Sequence, residues 1–290
     1  MTIDDTNGRT PRRRDNLITF VTDFGRSGGY VAVCEAVILS IAPTARVLHL
    51  SHEIAAGDIT AGALVLERVA PFCPPGVHVA VIDPGVGTAR VPLALLTRRG
   101  DILLGPDNGL LLPAARELGG IATAWSLDVD RLRRCAGLST STVSNTFHGR
   151  DVFAPAAALL IAGSQPDKLG TELAADSLVK PRRPGCRRTP DGVSAEVVEI
   201  DRFGNVELAV RFDELALDDH LLTVEIEEED LPVWNGRVVE TFAQLQPGEL
   251  GILRDSWGYA ALAMDDLSAA QVLAIERGMS VRLTVRNIKP

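Results

Sequence analysis

The sequence has no long apolar run and little positive charge. None of its segments approaches the roughly 18 to 20 uninterrupted apolar residues that a membrane-spanning helix needs, so we expect no membrane partner. Lysine and arginine number 29 against 38 aspartates and glutamates, which leaves a net charge of −9 over 290 residues. An acidic protein offers no general attraction for nucleic acid or for an anionic membrane surface. We therefore expect a small-molecule partner, and a cationic one fits this charge best.

Closely spaced metal-binding or disulfide-forming residues are also missing. The cysteines Cys34, Cys73, Cys135 and Cys186 are widely scattered and form no CxxC pair, which argues against a zinc knuckle and against a disulfide framework. No other histidine forms an HxH or HxxxH pair with His148, so a histidine-rich metal site has little support. Reduced thiols are typical of the cytoplasm, which is the predicted location.

Common nucleotide and hydrolase motifs are absent as well. Residues 85–87 read Gly-Val-Gly, but Arg90 stands where a GxGxxG fingerprint needs its third glycine, and no Lys-Ser/Thr pair follows to make a P-loop. There is no GxSxG elbow for a serine hydrolase. A metal-dependent phosphoesterase that uses Asp23, Asp83 and His148 as ligands stays open as a separate hypothesis.

Short apolar runs alternate with helical patterns in the first half of the chain. Residues 29–41 and 58–70 carry apolar residues at three- and four-residue spacing, as helices that cover a sheet do. This alternation predicts an N-terminal α/β domain over residues 17–179 with a central, mostly parallel sheet. The predicted strands are 17–22, 46–50, 77–82, 91–97 and 102–104, and further helices are expected near 110–118 and 152–162.

The second half has a different pattern. Residues 180–192 are rich in proline, glycine and arginine, which is typical of an exposed linker. Short alternating runs follow, at 194–200, 206–210, 222–226, 250–253, 259–264 and 280–285, and predict a smaller, mostly β, barrel-like domain over residues 193–290. The polar residues 1–16 are predicted to be a disordered tail.

Two motifs in the first domain bring together an acid, a cation and a base. Residues 83–91, Asp-Pro-Gly-Val-Gly-Thr-Ala-Arg-Val, directly follow a predicted strand. Open α/β sheets bind ligands at the carboxyl ends of their strands, which makes Asp83 and Arg90 site candidates. The run Phe-His-Gly-Arg-Asp at 147–151 adds His148 just before a predicted helix. A lone histidine is more often structural than catalytic, so His148 gains weight only from its company.

Further candidates lie in turns after strands. Asp23 follows the first strand, where its carboxylate could accept hydrogen bonds from a ribose diol or could cap a turn. In the second domain, a β-turn explains Gly204-Asn205 without any function. The aromatic side chains of Trp257 and Tyr259 fit either packing or one wall of a site for a flat base.

Taken together, six motifs resemble one family. They are TDFG at 22–25, IDPGVGTAR at 82–90, GPDNGLL at 105–111, FHGRD at 147–151, IDRFGN at 200–205 and DSWGY at 255–259. In this order they are similar to the S-adenosylmethionine hydroxide adenosyltransferases, relatives of the fluorinase and chlorinase enzymes. The resemblance runs from about residue 17 to residue 285.

The resemblance implies both an architecture and a reaction. It implies an N-terminal α/β domain, a C-terminal β domain and a homotrimer with sites between subunits. The implied reaction is hydrolysis of S-adenosylmethionine, in which water acting as hydroxide attacks ribose C5′ and releases adenosine and L-methionine. A sulfonium is already a good leaving group, so no metal and no cofactor is expected. S-adenosylmethionine itself is the substrate.

Site residues follow by matching each motif. The family's catalytic triad maps to Asp83, Arg90 and His148, with Arg90 favouring hydroxide and the other two taking the proton of the water. The remaining matches imply substrate contacts. Asp23 would hold the ribose hydroxyls, Phe147 and Gly149 would border the substrate, Asp201 would pair with the methionine ammonium, Phe203 and Asn205 would lie along the adenosyl group, Phe242 would stack on adenine, and Ser256 and Trp257 would lie at the methionine carboxylate. Gly57 stands where relatives often have an aromatic residue.

Two alternatives use the same ligand. A chloride-using 5′-halogenase is the nearer one, but the halogenase pattern lacks the aspartate of the IDPGVG motif and the histidine of the FHGRD motif, both of which are present here. A sensor that binds S-adenosylmethionine or adenosine without turnover has no need of a water-activating triad. Hydrolysis is therefore the favoured prediction.

Overall fold

The computed structural model describes residues 16–138, 143–215, 221–228 and 231–285. The predicted tail, residues 1–16, lies outside the described residues except for Asn16. The chain divides into two compact units, one ending at Arg182 and one beginning at Arg183. Within the predicted linker, residues 180–192, the structure has a short strand, Cys186–Thr189. No helix of the described part is long and apolar enough to cross a membrane.

The first unit is an α/β domain. Its strands are β1 (Leu17–Thr22), β2 (Arg46–Ser51), β3 (Val77–Val81), β4 (Pro92–Thr97), β5 (Ile102–Pro106), β6 (Ile121–Leu127) and β7 (Gly170–Leu173). Its helices are α1 (Tyr30–Ile41), α2 (Ile59–Val69), α3 (Leu112–Glu117), α4 (Val129–Cys135), α5 (Ala154–Ile161) and α6 (Pro166–Leu169), and a π-helical turn, Gly149–Phe153, leads directly into α5.

The strand order is β2-β1-β3-β5-β4-β6-β7. Strands β2, β1, β3 and β5 pair in parallel, while β4, β6 and β7 add antiparallel pairings, so five of the seven strands (β1, β2, β3, β5 and β6) run in one direction. This confirms the predicted α/β class with a mostly parallel sheet. Strands β6 and β7 and helix α4 were not predicted.

Apolar side chains cover both faces of this sheet. Along β3, Val79 and Val81 join a core cluster that includes residues of α1 and α5, whereas Ala80 packs in a second cluster with residues of α2 and α3. Alternate residues of a strand point to opposite faces, which is why all five residues of β3 are buried. The reactive side chains of this domain are therefore found where strands end.

The second unit is a closed β-barrel. Its strands are β8 (Cys186–Thr189), β9 (Gly192–Ile200), β10 (Val206–Arg211), β11 (Leu221–Ile226), β12 (Trp234–Val238), β13 (Leu250–Arg254), β14 (Tyr259–Met264) and β15 (Ser280–Val285), with one short helix, α7 (Ala269–Val272). Pairing of β9 with β10 closes seven strands into a ring, and β8 adds to β9 outside it. The predicted β domain is confirmed as a barrel, and β12 is the ring strand that was not predicted.

Candidate active site

The carboxyl edge of the parallel strands collects the acid and the cation of the first motif. Asp23 follows β1 and Asp83 follows β3, and these two strands are parallel neighbours, so both side chains begin at one edge of the sheet. Arg90 comes just before β4, which runs antiparallel to β5, and therefore starts at the same edge. The position agrees with the expectation that ligands bind at strand carboxyl ends.

Arg90 connects Asp83 with His148. Its Nε donates to Asp83 Oδ1 at 2.9 Å, and its Nη2 donates to Asp83 Oδ2, which makes a bidentate ion pair. The same Nη2 lies 2.7 Å from His148 Nδ1. The Arg90 and Asp83 side chains are only 10% and 6% exposed. The sequence-predicted acid, cation and histidine are thus brought together, with the arginine in the middle.

The contact with Arg90 fixes the tautomer of His148. A guanidinium nitrogen can only donate, so His148 Nδ1 accepts and the ring proton of the neutral imidazole sits on Nε2. Burial lowers the pKa of His148, the positive charge of Arg90 lowers it further, and Asp83 and Asp151 only partly oppose them. A neutral His148 near pH 7 therefore presents an N–H donor at Nε2, not a lone pair.

Arg90 also has a donor to spare. Its Nη1 is buried and has no hydrogen-bond partner among the described residues. The guanidinium carbon lies 5.5 Å from the ring centroid of Phe153, in the π-helical turn. Because a buried donor without a partner is costly, Nη1 favours the binding of an oxygen acceptor from a ligand. Arg90 Nη1 and His148 Nε2 are thus two separate donors that a ligand can use.

Close backbone approach explains two glycines of these motifs. Gly87 has φ of +77°, and a Cβ there would overlap with the carbonyl oxygen of Asn145, so the turn after β3 touches the segment that carries His148. A Cβ on Gly149 would lie 2.8 Å from Cζ of Phe24. Glycine is needed at both places because no side chain fits. The predicted substrate residue Gly149 thus packs against the chain itself.

His148 is held from its C-terminal side as well. It immediately precedes the π-helical turn, a rare geometry that is frequent at functional sites. Asp151 within this turn accepts from the Ser144 backbone at 2.7 Å and from Arg150 Nε at 2.7 Å. Burial alone would raise the pKa of Asp151, but these hydrogen bonds outweigh burial and lower it. Asp151 therefore stays ionised and ties the two sides of the His148 loop together.

Asp23 has one carboxylate oxygen that makes no hydrogen bond to the described residues. Its Oδ2 accepts from the backbone N–H of Gly57 at 2.8 Å, which leaves Oδ1 and further lone pairs of this half-buried carboxylate for a ligand. Gly57 has φ of +75°. The next residue, Phe24, meets Phe147 edge-to-face with centroids 5.6 Å apart, and Tyr30 meets Phe147 at 5.1 Å. The predicted contact Phe147 is part of this aromatic cluster.

Two turns of the barrel share one design. In the turn 201–205, Asp201 Oδ1 accepts from the backbone N–H groups of Phe203 and Asn205 at 2.8 and 2.9 Å. In the turn 255–259, the carboxylate of Asp255 makes the same pair of contacts to residues 257 and 259, at 2.8 Å each. Each turn has a glycine with φ near +85° in fourth place. Each also exposes the aromatic side chain in third place, Phe203 by 74% and Trp257 by 38%.

These turns lie at opposite ends of one strand pair. Strands β10 and β14 are antiparallel; the turn 201–205 ends just before β10 and the turn 255–259 ends at the first residue of β14. Within the barrel, Phe203 and Asn205 are therefore not brought together with Ser256 and Trp257. Phe242 is 49% exposed at the start of a 3-10 turn that connects β12 with β13. The proposed roles of all six barrel residues, Asp201 included, stay predictions.

Several polar partners near the site were not predicted from the sequence. His52 contacts Thr22, beside Asp23, and His49 contacts His52, a pairing that HxH or HxxxH spacing does not reveal. Asp151 belongs to the FHGRD motif, but the sequence predicted no role for it. Among the described residues, no group of three or more His, Cys, Asp or Glu could hold a metal ion. In particular, Asp83 and His148 both face Arg90, which does not fit the phosphoesterase ligand set.

An α/β domain with an Asp-Arg-His cluster at the sheet's carboxyl edge, followed by a closed β-barrel, defines a specific two-domain class. Models of the SAM hydroxide adenosyltransferase N-terminal and C-terminal domains match residues 18–170 and 195–282. The chain belongs to the SAM hydroxide adenosyltransferase family.

Individual relatives agree with this assignment. A protein of Salinispora tropica called (R)-S-adenosyl-L-methionine hydrolase is 42% identical over 92% of this chain and 97% of its own length. A fluorinase of Actinoplanes sp. is 27% identical, over 94% of this chain and 99% of its own. The crystal structure of an uncharacterized conserved protein from Thermotoga maritima has a TM-score of 0.82 and 31% identity, and covers 92% of this chain and 99% of that one.

Proposed function

We propose that this protein is an S-adenosyl-L-methionine hydrolase, which forms adenosine and L-methionine by attack of water or hydroxide at ribose C5′. Relatives that are 36% to 42% identical over 92% of this chain carry the hydrolase name. The observation that carries the proposal is the cluster in which Arg90 joins Asp83 to His148 and keeps two donors available. A fluorinase-type relative is more distant.

The chemistry required is modest. The sulfonium carries its positive charge on the atom that leaves, so methionine departs as a neutral thioether without an acid. The enzyme has to hold an oxygen nucleophile in line with the bond from C5′ to sulfur. His148 Nε2–H can donate to that oxygen while the nearby positive charge of Arg90 favours its anionic form, and a preorganised donor and charge make the water easier to deprotonate. Asp83 keeps Arg90 oriented and balances its charge.

His148 acts as a donor in this proposal. The base role predicted for the Asp83 and His148 pair would need a lone pair at His148 Nε2, whereas the contact with Arg90 puts the proton there. Hydroxide is then taken from solution or is formed as the water proton is lost to bulk water. Asp23 would hold the ribose diol with its remaining lone pairs, which makes it a binding residue.

We further propose that the protein acts in the cytoplasm as a homotrimer and needs no metal. Large apolar side chains are exposed on α1 and on the adjacent edge strand β2, and patches of this kind mark association surfaces. They are Tyr30, Val33, Leu39 and Leu48. Sedimentation equilibrium tests the trimer, and turnover that is unchanged after dialysis against EDTA tests metal independence.

The deciding experiment uses ¹⁸O-labelled water. Purified protein is incubated with S-adenosylmethionine in chloride-free buffer, with each sulfonium epimer separately because the relatives' names carry the (R) designation. Adenosine labelled at its 5′ oxygen, with an equal amount of methionine, is the expected result. A 5′-chloro nucleoside after chloride is added would indicate a halogenase. Tight binding by calorimetry without turnover would indicate a sensor.

A further inference from the structure

A chain of hydrogen bonds connects the turn that carries Asp23 to the protein surface. Thr22 Oγ1 lies 2.9 Å from His52 Nδ1, His52 Nε2 lies 2.7 Å from His49 Nδ1, and His49 Nε2 lies 3.3 Å from Glu35 Oε2 on α1. Thr22 and His52 are buried, whereas the side chains of His49 and Glu35 are 33% and 39% exposed. Neither histidine takes part in the proposed chemistry.

A β-bulge makes the two histidines neighbours. In the pairing of β1 with β2, Phe20 faces His49 but Val21 faces Ser51, so β2 contains one extra residue at position 50. Residues three apart in a regular strand point to opposite faces, and the extra residue restores His52 to the face of His49. The Phe20 ring accordingly contacts both imidazoles, at 6.4 and 5.3 Å between centroids.

The two ends of this hydrogen-bond chain determine which atoms donate and which accept when both histidines are neutral. The Glu35 carboxylate only accepts, so His49 carries its proton on Nε2 and accepts at Nδ1. His52 then donates from Nε2 and accepts at Nδ1, which requires the Thr22 hydroxyl to donate. Thr22 Oγ1 in turn accepts from the Phe24 backbone N–H at 3.2 Å. Every donor has an acceptor in this arrangement.

His52 holds this turn on both sides of Asp23. Besides its contact with the Thr22 hydroxyl, its carbonyl oxygen accepts from the Gly25 backbone N–H at 2.8 Å. Burial, the neighbouring His49 and the positive charge of Arg26 lower the pKa of His52 to about 4. His52 thus stays neutral in mildly acidic solution, and His49 is the member of the chain that meets solvent.

We propose that His49 and His52 are positioning residues that hold the Asp23 carboxylate in its ligand-binding orientation, and that protonation of His49 reverses the chain and weakens binding of the ribose. The proposal rests on the proposed function of Asp23. One proton enters at His49, whose Nδ1–H then donates to His52 Nε2. His52 keeps a single proton, now on Nδ1, and donates it to Thr22. The Thr22 hydroxyl proton loses its acceptor inside a buried turn.

The described charged groups beside His49 and His52 come from α1, from the turn after β1 and from the residue after His52. Glu35 comes from α1 and Arg26 from the turn after β1, and Glu53, which follows His52, pairs with Arg26 at 3.8 Å. Glu53 is therefore a suitable control, because Glu53→Gln removes a nearby charge without touching the hydrogen-bond chain. His49→Asn is the conservative variant, since its Oδ1 can accept near the position of Nδ1 but cannot be protonated.

The test is steady-state hydrolysis of S-adenosylmethionine by the full chain at pH 8.0 and pH 5.5. At pH 8.0, His49→Ala should raise KM about fivefold, the effect of one weakened hydrogen bond, with kcat within twofold. His49→Asn and Glu53→Gln should keep KM within twofold of the wild type. From pH 8.0 to 5.5, KM should rise for the wild type and for Glu53→Gln but stay flat for His49→Asn. If His49→Asn followed the wild type, protonation of His49 would not be the cause.

A double-mutant cycle distinguishes positioning of Asp23 from a general loss of local structure. If His49 acts through Asp23, then His49→Ala should add no further rise in KM to Asp23→Ala, whereas full additivity would overturn the proposal. Adenosine binding by calorimetry gives the same comparison without turnover. If the wild type did not hydrolyse S-adenosylmethionine but adenosine binding still showed the coupling between His49 and Asp23, only the proposed reaction would be contradicted. If the wild type were active and the two substitutions were additive, only this inference would be contradicted.

Discussion

Strand β3 has an aspartate, an arginine and a histidine clustered at each of its ends, and the two clusters differ in every property that matters for catalysis. At the amino end, His78 Nε2 donates to Asp101 Oδ1 at 3.0 Å, and Arg99 donates to both Asp101 oxygens at 2.7 and 2.9 Å. Thr19 completes this cluster through His78 Nδ1, at 2.8 Å. His78 and Asp101 are fully buried.

Nearly all hydrogen-bonding groups of the amino-end cluster are paired within the protein. The remaining hydrogen bonds of Arg99 go to the carbonyl oxygens of Ala70 and Pro71, at 3.0 and 2.9 Å. Burial by itself would raise the pKa of Asp101, but the hydrogen bonds from His78 and Arg99 lower it far below its ordinary value. Each side chain is bonded to another group of the protein, so this cluster can hold β3, β4 and β5 in register and leaves little for a ligand.

The carboxyl-end cluster keeps capacity for a ligand. Arg90 Nη1 is buried without a partner among the described residues, and His148 presents its Nε2–H from a half-buried position. The same three residue types therefore serve structure at one end of the strand and chemistry at the other. Residue identity does not decide between these roles, whereas unused hydrogen-bonding capacity and access do.

Removing the arginine at each end should produce the largest contrast. For Arg90→Gln we expect kcat to fall by about 10³-fold, because the positive charge that favours hydroxide and the bridge between Asp83 and His148 are both lost. For the matched variant Arg99→Gln we expect kcat within twofold, measured on protein shown to be folded by circular dichroism. Equal losses of kcat in the two variants would show that the two clusters do not differ in their contribution to catalysis.

Replacing the aspartate of each cluster with asparagine should destabilise the protein more at the amino end of β3 than at the carboxyl end. Asp101→Asn removes the charge of a fully buried carboxylate that holds both His78 and the half-buried Arg99, and we expect the free energy of unfolding to fall by about 3 to 5 kcal/mol. Urea unfolding at pH 7 measures it. Asp83→Asn should lose turnover but less than half as much stability, since the described side-chain bonds of Asp83 come from Arg90, whereas Asp101 also accepts from His78 and from the Gly76 backbone N–H. A larger stability loss for Asp83→Asn would mean that the carboxyl-end cluster is chiefly structural.

The sequence predicted the carboxyl-end cluster and overlooked the amino-end one, for a physical reason. Asp83, Arg90 and His148 lie in glycine-rich turns whose motifs are recognisable, and the bounds of β1, β14 and β15 could be read from apolar runs between turn residues. His78, by contrast, sits inside an apolar run, and its partner Asp101 precedes β5. That contact depends on the pairing of β3 with β5, which a single sequence does not reveal.

The pairing of His49 with His52 was hidden in the same way. It needs a bulge at position 50, and the extra residue becomes visible only against β1. Strands β6 and β7 were missed because they add antiparallel edges to a sheet whose first strands alternate with helices. Local sequence pattern therefore predicted the strands and helices that are bounded by turn-forming residues. The other elements and contacts depend on pairing between distant segments, which a local pattern does not show.

The role of His148 can be separated from that of a base. For His148→Ala we expect kcat to fall about 100-fold, the usual effect of losing one donor to a developing oxyanion. For His148→Gln the loss should be within about tenfold, because the glutamine amide can donate from the position of Nε2. Steady-state kinetics at pH 8 compares them. If His148→Gln were as impaired as His148→Ala, a base would be the better assignment.

The pH dependence of the wild type carries independent information about His148. Burial and Arg90 lower the pKa of this imidazole, so the neutral donor persists above pH 6.5 and is lost only as the pH falls further. Protonation would put an N–H on Nδ1, facing the guanidinium of Arg90. We therefore expect kcat to show no histidine-dependent decline between pH 9 and pH 6.5. A decline within that range which His148→Gln abolishes would contradict the assigned tautomer.

The smallest contrast compares two threonines of β1. Thr19 and Thr22 are both fully buried, and each hydroxyl meets a histidine Nδ1, His78 at 2.8 Å and His52 at 2.9 Å. Replacing either with valine keeps the shape and removes one hydrogen bond, which should lower the free energy of unfolding by about 1 kcal/mol in each case. Only Thr22 lies beside Asp23, so only Thr22→Val should also raise KM, by about threefold. A similar KM for both variants would show that the carboxyl end of β1 holds its turn without the hydroxyl, and that the two ends of this strand differ less than those of β3.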